Sequence, residues 1–465
     1  MPPNDAKPLR ERLGGTSGRF LVGFNASISF SDLARCTSFG GHLSELRRRS
    51  VLITARDQLA TALALVELDG ISRRLAICPP DLSSKQLTWV CESAGIDAIV
   101  SDYEAPIEHE NSCERWHIDC CAGMKPVDHM PVGHERSEWL LLTSGTTGAP
   151  KILAHDLQSL TASTKVDNYS ERPVVWGCFY DIRRFAGLQV FLQATLGGGS
   201  LVLAGGDESL EGYLARLIAH SATHISGTPS QWRRVLMSPL AKRLAPRQLT
   251  LGGEIVDQAI LDGLRSFYPN SRITHIYAST EAGVGFAVND GLEGFPASMV
   301  GSRRGGVEAE VEDGSLRLRS GRAANRCVGG DGSAVQDEGG FVDTGDSVAL
   351  RGDRYYFLGR RTGAINVGGL KVYPEEVEAV INRHPKVRMS RVRSRKNPMT
   401  GNIVVAEVVL IGDHSQTTTI RTAELEGEIL QICRKALAQH KCPATIRFVP
   451  SLDVAPTGKL ARHHA

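Results

Sequence analysis

The amino-acid sequence predicts an α/β protein built from more than one domain. Its 465 residues include 42% hydrophobic ones, which is enough to fill several cores. In the first third of the chain, short apolar runs alternate with amphipathic segments, the order typical of a mostly parallel sheet with helices on its faces. The C-terminal part instead combines two amphipathic helical segments with a long apolar extended one. This second pattern indicates a separate and smaller α+β unit.

The alternation in the first third consists of five segments. Three are apolar and extended and two have helical spacing, which predicts strands over 51–55, 74–78 and 97–102 and helices over 56–68 and 81–95. Pro79 and Pro80 mark a strand end, and the Asp81 side chain suits the N-cap of the helix that follows. Sheets of this kind bind ligands at the carboxyl ends of their strands, so we expect the functional site there.

The charge balance excludes several classes of partner. Lys and Arg number 53 against 51 Asp and Glu, so the formal net charge is only +2. A charge this small produces no long-range field that would recruit nucleic acid or an anionic membrane. The N-terminus lacks the apolar core of a signal peptide, and no apolar run approaches the roughly 18 residues that a membrane helix needs. We therefore expect a cytoplasmic protein.

The cysteines predict neither a disulfide framework nor a metal centre. The ten cysteines are scattered without the close paired spacings of either, so reduced and mostly buried thiols are expected. One dense stretch contains His109, Cys113, His117, Cys120 and Cys121. Its spacing fits no standard zinc pattern, and we expect no metal there.

The sharpest signal is an apolar strand over residues 139–142 that runs directly into a loop rich in glycine and hydroxyl groups. The residues with which this loop would bind phosphate are Thr143, Ser144, Gly145, Thr146, Thr147, Gly148 and Lys151. Glycines let backbone N–H groups turn toward an anion, hydroxyls add donors, and the lysine adds charge, so the loop suits polyphosphate. It is not a Walker A loop, because Pro150 precedes the lysine and Ile152 follows it. A simple Gly/Thr turn is the alternative interpretation.

This segment closely resembles the phosphate-loop signature of the ANL superfamily, the adenylating enzymes that include acyl- and aryl-CoA synthetases. Residues 273–283 resemble the second nucleotide motif of that superfamily. The resemblance implies that Tyr277 lies against adenine, with Ala278 in place of the usual glycine, and that Glu281 binds Mg²⁺. Residues 251–256 resemble the turn that borders both adenine and the acyl group, which implies these roles for Gly252, Gly253 and Glu254.

Three further segments follow in the order that the superfamily has. Residues 339–350 resemble the segment whose aspartate holds the ribose, here Asp346, and a carboxylate can accept from both ribose hydroxyls. Residues 354–378 resemble the hinge region, which implies that Phe357 lines the base and that Arg360 reaches the sugar or phosphate. Residues 456–462 resemble the C-terminal motif with the catalytic lysine, which implies that role for Lys459.

The resemblance also implies an architecture. We expect a large N-terminal domain over 1–358, made of helix-flanked sheets and a small β-barrel-like region, then a hinge at 359–363. A small, mobile α+β C-terminal domain should follow over 364–465. In it, Pro374 is expected in the first turn of a helix. Thr362 stands where the superfamily normally has an Asp or Lys pivot, and Thr362 and Gly363 still permit backbone rotation.

The chemistry implied is the ATP-dependent and Mg²⁺-dependent activation of a carboxylic acid to an acyl adenylate, with transfer to a thiol of coenzyme A or of carrier-protein pantetheine. Rotation of the small domain would withdraw Lys459 and bring Gly368 and Gly369 to the thiol tunnel. An aryl or short acyl group is expected, in a pocket that includes Phe185, Trp232, Gly252, His275 and Phe286.

Three charged residues near this pocket leave the substrate open. Arg184 stands where many acyl-CoA synthetases have a histidine before a glycine, here Gly187. Asp181 would suit a substrate amine, and Arg183 or Arg184 a second carboxylate. Solvated or structural charges are the alternative interpretation for all three.

Three other functions remain as alternatives. A freestanding amino-acid adenylation enzyme that loads a carrier protein belongs to the same superfamily and requires a primary amine in the substrate. A kinase-like P-loop NTPase would release ADP, but the Walker signature is missing. A non-enzymatic binding protein descended from a ligase would be expected to have lost Lys459 or Glu281, and the chain retains both.

Overall fold

The fold was analysed in a computed structural model. It describes residues 7–13, 17–39, 42–104, 114–117, 124–126, 135–143, 149–165, 173–329, 334–411, 419–455 and 459–460. Residues 144–148 of the predicted phosphate loop lie outside the described residues, as do His109, Cys113, Cys120 and Cys121.

The strands are, in chain order, β1 Phe20–Val22, β2 Ser27–Ser29, β3 Cys36–Thr37, β4 Ser50–Ile53, β5 Arg74–Ile77, β6 Ala98–Ser101, β7 Glu114–His117, β8 Lys125–Pro126, β9 Glu138–Thr143, β10 Lys151–His155, β11 Val175–Cys178, β12 Ser200–Leu203, β13 His224–Gly227, β14 Gln248–Gly252, β15 Arg272–Ser279, β16 Gly283–Val288, β17 Phe295–Pro296, β18 Arg303–Arg304, β19 Val307–Glu312, β20 Ser315–Ser320, β21 Arg326–Val328, β22 Val342–Arg351, β23 Arg354–Arg360, β24 Ile365–Val367, β25 Leu370–Val372, β26 Val387–Asn397, β27 Gly401–Leu410 and β28 Thr445–Phe448.

The α-helices are α1 Phe30–Arg35, α2 Gln58–Leu68, α3 Ser84–Ala94, α4 Leu157–Thr161, α5 Phe185–Leu196, α6 Leu210–Ala219, α7 Pro229–Val235, α8 Gln258–Phe267, α9 Pro374–Ile381 and α10 Thr419–Ala436.

Two large sheets dominate the N-terminal part. One has the strand order β16-β15-β14-β13-β11-β12-β1-β2, and the other β21-β10-β9-β5-β4-β6-β7. In the second sheet β4 pairs in parallel with both β5 and β6, and β5 pairs in parallel with β9. This confirms the strand and helix alternation that the sequence predicts for the first third of the chain.

Helix α2 lies in the core shared by the two large sheets. Every one of its residues is buried, and apart from Gln58, Thr61 and Glu67 its sequence QLATALALVEL is apolar, as expected for a helix enclosed by protein. Its apolar residues belong to one cluster with Trp139 of β9, Phe191 of α5 and Leu201 of β12. The two sheets are therefore joined through a continuous hydrophobic core, which fixes the strand ends that face the site.

A third sheet and a small α+β unit follow. The third sheet has the order β17-β23-β22-β20-β19-β18, all antiparallel where register is defined, and it is the β-barrel-like region expected from the sequence. The C-terminal unit packs α9 and α10 against the sheet β26-β27-β28 around its own apolar core. Pro374 occupies the first turn of α9, as predicted.

Asp81 is not the cap of α3. The N-cap is Ser83, whose hydroxyl accepts from Gln86 N, while Gln86 Oε1 accepts from Ser83 N at 3.0 Å. This reciprocal pair satisfies two donors at the helix start. The Asp81 carboxylate is instead 2.6 Å from Arg184 Nη2.

No helix in the described parts of the chain is long and apolar enough to cross a membrane.

Replacing Ser83 by Ala should lower the local stability of α3 by about 1 kcal/mol, because the helix loses the acceptor for its Gln86 amide. Hydrogen exchange of the α3 amides measures this loss. Ser84→Ala is the matched control, since the Ser84 hydroxyl is buried and bonds to none of the described residues. Equal exchange in the two variants would contradict the capping role.

Candidate active site

A cavity of about 320 Å³ lies at the carboxyl ends of β14 and β15, where the large sheet, the third sheet and the C-terminal unit meet. Its walls include Gly253 after β14, Tyr277 on β15, Asp346 on β22, Arg360 on β23 and Lys459 near the chain end. Strand ends of a parallel sheet are where such folds bind ligands. The sequence motifs therefore converge, although more than 200 residues separate the first from the last.

An aromatic stack forms one wall. The rings of Tyr277 and Phe357 have centroids 4.9 Å apart and planes 15° apart, and the ring centroid of Phe286 lies 5.4 Å from that of Tyr277. Tyr277 and Phe286 are cross-strand partners of β15 and β16. Flat, parallel ring faces of this kind suit contact with a planar base.

Asp346 joins the aromatic wall to the guanidinium of Arg360. The Tyr277 hydroxyl donates to Asp346 Oδ2 at 2.6 Å, and Arg360 Nε is 3.2 Å from Asp346 Oδ1. Burial, followed by the neighbouring Asp346 charge, raises the pKa of Tyr277 well above its usual value. The hydroxyl therefore remains a donor at neutral pH. Burial opposes the charge of Arg360, but the carboxylates of Asp346 and Glu281 outweigh it and raise its pKa.

Lys459 reaches the cavity from the C-terminal end of the chain. A Cβ atom placed on Gly253 would lie 3.5 Å from Lys459 Cε, so the lysine side chain lies over the turn that follows β14. Gly253 has a φ of +80°, a backbone conformation that favours glycine. Its backbone thus turns beneath the lysine.

The Lys459 ammonium has no ion-pair partner within 4 Å among the described residues. The residue is exposed toward the cavity, yet protein atoms surround its ammonium closely enough for burial, and then Arg360, to lower its pKa. Glu254 and Asp346 act in the opposite direction, and Arg184 lowers the pKa further. A partly desolvated cation without a partner is suited to bind an anion that enters the cavity.

The described residues of the predicted phosphate loop sit at its base. Thr143 and Lys151 are direct partners in the antiparallel pair of β9 and β10, so residues 144–150 connect these two strands. Ser144, Gly145, Thr146, Thr147 and Gly148 lie outside the described residues. A Walker A loop leads into a helix, whereas this one leads into β10, which counts against the kinase-like alternative.

Glu281 follows β15 in a turn that two backbone contacts hold. Its carbonyl accepts from Ala324 N at 2.9 Å, and the preceding carbonyl of Thr280 lies 2.8 Å from His155 Nε2. His155 is fully buried with its ring centroid 5.8 Å from that of Phe185, and burial lowers its pKa. Sequence reasoning missed His155. The signal was available, because a histidine ends the apolar strand that follows the phosphate loop.

The residues predicted for the acyl pocket do not form a single surface. His275 and Phe286 line the cavity, and Gly252 ends β14 with its carbonyl accepting from the Tyr180 hydroxyl at 3.1 Å. Phe185 is buried against His155 at the start of α5.

Trp232 lies elsewhere, in the core. Its side chain is fully buried, its Nε1 donates to Thr250 O at 3.2 Å, and its ring packs edge-on against Phe179. The interpretation of Trp232 as a substrate contact is therefore corrected, because the helix α7 turns the ring into the core beneath the site. Tyr180 and Thr228 instead lie beside the turn after β14, each within 4 Å of the position that a Cβ atom on Gly253 would take.

Comparison with known proteins identifies the family. The model of the AMP-binding enzymes matches residues 17–334, and the model of their C-terminal domain matches residues 376–459. The chain belongs to the AMP-binding enzyme family. This confirms the ANL superfamily resemblance, and the chain is an AMP-forming ligase.

Individual relatives are distant in sequence but similar in fold. The human mitochondrial acyl-coenzyme A synthetase ACSM2B is 26% identical over 455 residues, which cover 90% of this chain and 73% of that protein. The anthranilate CoA ligase AuaEII, solved with anthranoyl-AMP, aligns with a TM-score of 0.78 and 16% identity over 98% of this chain and 96% of its own. The o-succinylbenzoate CoA synthetase MenE from Bacillus subtilis, solved with ATP and magnesium, aligns with a TM-score of 0.71 and 19% identity over 97% of both chains. The predicted fold class is thus confirmed.

The charged side chains near the acyl region of this AMP-binding enzyme mostly pair with other residues of the protein. Arg183 is buried and pairs with both oxygens of Asp181 at 2.7 and 2.8 Å, while its Nη1 donates to the carbonyl of Ala55. Arg184 pairs with Asp81. The structural interpretation therefore holds for Asp181 and Arg183, and neither presents a charge to substrate.

The two glycines predicted for the thiol tunnel are away from the cavity. Gly368 and Gly369 form the two-residue turn between β24 and β25, with φ values of +58° and +87°. Gly368 N donates to Thr400 O at 2.9 Å. Of the C-terminal unit's predicted site residues, Lys459 lines the cavity in this structure and the glycine pair does not. The rotation that would exchange them, and the division into 1–358, 359–363 and 364–465, stay predictions.

Substitution of Gly359, in the predicted hinge, tests whether the backbone conformation there is needed to place Lys459 in the cavity. Its φ of +146° is a conformation that other residues rarely adopt, and a Cβ there would lie 3.2 Å from Tyr373 Cβ. Gly359→Ala should therefore slow acid-dependent pyrophosphate release roughly tenfold, the scale of one strained backbone residue. Single-turnover kinetics of pyrophosphate release measure this effect.

Gly363→Ala is the control for Gly359→Ala. Its added Cβ meets no atom within 4 Å, and its φ lies outside the strained range. It should release pyrophosphate at close to the wild-type rate. A wild-type rate in Gly359→Ala, or equal losses in both variants, would contradict the importance of this backbone conformation.

Proposed function

We propose that this AMP-binding enzyme activates a carboxylic acid with ATP, releases pyrophosphate, and transfers the acyl group to the thiol of coenzyme A. The observation that carries the proposal is the Lys459 ammonium, which faces the cavity without an ion-pair partner among the described residues. Adenylation creates negative charge where this cation lies, and a cation fixed in place before the reaction stabilises such charge.

In the first step a carboxylate oxygen of the acid attacks the α-phosphorus of ATP. A new oxygen–phosphorus bond forms as the bond to the leaving pyrophosphate breaks, which gives a mixed acyl–phosphate anhydride. Lys459 would bridge the acid's carboxylate and the α-phosphate. The loop with Thr143 and Lys151 at its base would contact the departing phosphates through N–H groups and hydroxyls.

The nucleoside of ATP would bind between Asp346 and the aromatic wall. The Asp346 carboxylate can accept from both ribose hydroxyls, and the hydroxyl of Tyr277 holds that carboxylate in place. Arg360, which also contacts Asp346, has guanidinium donors suited to the sugar or the α-phosphate. Ala278 and Phe357 border the same space.

Mg²⁺ fits the residues present. The described residues contain no group of three or more His, Cys, Asp or Glu side chains that would hold a metal by themselves. Mg²⁺ normally binds to one or two carboxylates together with substrate phosphates and water, and the half-buried Glu281 supplies such a carboxylate near Arg360. When bound, the ion neutralises phosphate charge.

In the second step a thiol attacks the acyl carbon and AMP leaves. Coenzyme A is the proposed acceptor because the similar proteins ACSM2B, AuaEII and MenE are named as coenzyme A ligases or synthetases. Carrier-protein pantetheine supplies the same thiol and remains the second candidate. Rotation of the C-terminal unit would bring the turn of Gly368 and Gly369 toward the thiol.

An aryl or short acyl acid is the proposed substrate class. A cavity of about 320 Å³ that also has to hold part of the nucleotide leaves little space for a long chain. His275 and Phe286 are the predicted acyl-pocket residues on its wall. An amino acid is disfavoured, because the Asp181 carboxylate is already paired with Arg183. Cytoplasmic location stays a prediction, which fractionation of cells that express the tagged protein tests.

Lys459→Ala should separate the two steps. Removal of a cation that stabilises only the adenylation transition state should slow pyrophosphate formation roughly a hundredfold or more. Transfer of the acyl group from a supplied acyl adenylate to coenzyme A should remain near the wild-type rate, because the lysine serves only the first step. Parallel single-turnover assays of both steps measure this difference.

Lys386→Ala is the control for Lys459→Ala, since it removes the same charge from an exposed position of the C-terminal unit. It should leave both rates unchanged. Undiminished adenylation by Lys459→Ala would refute the catalytic assignment, and equal losses in both steps would refute the exchange between two arrangements.

A further inference from the structure

The Glu254 carboxylate joins the large N-terminal part of the protein to the residue that follows Lys459. Its Oε1 accepts from Leu460 N at 2.8 Å and from the Ser230 hydroxyl at 3.0 Å. Its Oε2 accepts from Ser230 N at 2.9 Å. Both oxygens are therefore engaged within the protein, although the family resemblance places this residue at the adenine and acyl group.

The main chain on both sides of the Lys459 side chain is fixed by these contacts. The Lys459 carbonyl accepts from Ala455 N at 2.7 Å, and Leu460 pairs with Val454 in an isolated β-bridge. These two contacts lie within the C-terminal unit and set the local shape. The hydrogen bond from Leu460 N to Glu254 is different, because it connects this segment of the C-terminal unit to the wall of the cavity.

The position of Glu254 in the large part is itself well defined. It follows Gly253 directly after β14, and its two bonds to Ser230 hold it against the first turn of α7. Hydrogen bonds to a carboxylate are stronger than neutral ones. A strand end and a helix start thus fix the carboxylate, and the carboxylate then fixes the position of Leu460.

We propose that Glu254 is a positioning residue for Lys459, which holds the lysine over the reacting atoms through the backbone of Leu460 and does not bind the nucleotide. The inference rests on the proposed adenylation function. A positioning role and a nucleotide-binding role predict different kinetic losses in a variant of Glu254. A positioning residue affects the adenylation rate, whereas a residue that binds adenine or ribose affects the Michaelis constant for ATP.

Glu254→Ala should reduce single-turnover adenylation about 10- to 100-fold, the value of a lost charged hydrogen bond. The Michaelis constant for ATP should change little, and transfer from a supplied acyl adenylate to coenzyme A should stay near the wild-type rate. Glu254→Gln should recover part of the rate, because its amide oxygen can still accept from Leu460 N. The unfolding midpoint of each variant shows whether the fold is retained, and if the alanine variant fails to fold, the glutamine variant carries the test.

A double-mutant cycle with Lys459→Ala identifies the route of the effect. If Glu254 acts through the lysine, Glu254→Ala should cause no further loss when Lys459 is already alanine. Additive losses, or a raised Michaelis constant for ATP with an unchanged adenylation rate, would overturn the positioning role and leave the proposed function standing. An undiminished rate in Lys459→Ala alone would instead overturn the proposed function of the lysine.

Glu293→Ala provides the matched control. The Glu293 carboxylate also links the two parts of the protein, through Arg383 Nη2 at 3.3 Å, but its described contacts include no residue near Lys459. This ion pair reaches the surface through Arg383, whose side chain is 47% exposed, and such pairs contribute little, so the adenylation rate should change at most about fivefold. A loss equal to that of Glu254→Ala would show that general contact between the two parts matters, and would overturn the specific role of Glu254.

Discussion

The placement of one ammonium group is the constraint on which the proposed adenylation depends. Lys459 lies at the end of a chain whose C-terminal unit has its own core, yet its side chain belongs to a cavity built mostly by the N-terminal part. Among the described residues, the hydrogen bond from Leu460 N to Glu254 anchors its backbone to that wall. We therefore expect changes in the contact between the two parts to move this ammonium group.

The charges around Lys459 are arranged so that none neutralises it. Arg360 and Arg184 lower its pKa after burial has done so, while Glu254 and Asp346 oppose them. Each of these four groups has a partner of its own: Asp346 binds Tyr277 and Arg360, Arg184 binds Asp81, and Glu254 binds Ser230 and Leu460. The lysine is left to an incoming anion, and a site prepared in this way needs little reorganisation during the reaction.

The sequence predicts those parts of the fold and of the site that depend on local hydrophobic periodicity and on motifs in a fixed order. The alternation around β4, α2 and β5 is legible because period and apolar content change sharply at each boundary. The spacing of Ser83 and Gln86 is that of a capping box and also indicates the cap of α3, so the prediction of Asp81 as the cap was wrong. The environments of Trp232 and Glu254 could not be predicted from the sequence. The packing of α7 decides that of Trp232, and a partner 206 residues away decides that of Glu254. Local sequence reports no such distant contact.

The central proposed step is attack by the acid's own oxygen on the α-phosphorus of ATP. It is tested most directly by incubating the enzyme with ATP, Mg²⁺, coenzyme A and a panel of aryl and short acyl acids whose carboxylate oxygens carry a heavy isotope. For the acid that is turned over, one labelled oxygen should appear in AMP and none in pyrophosphate. Label in inorganic phosphate with release of ADP, or AMP without label, would contradict it.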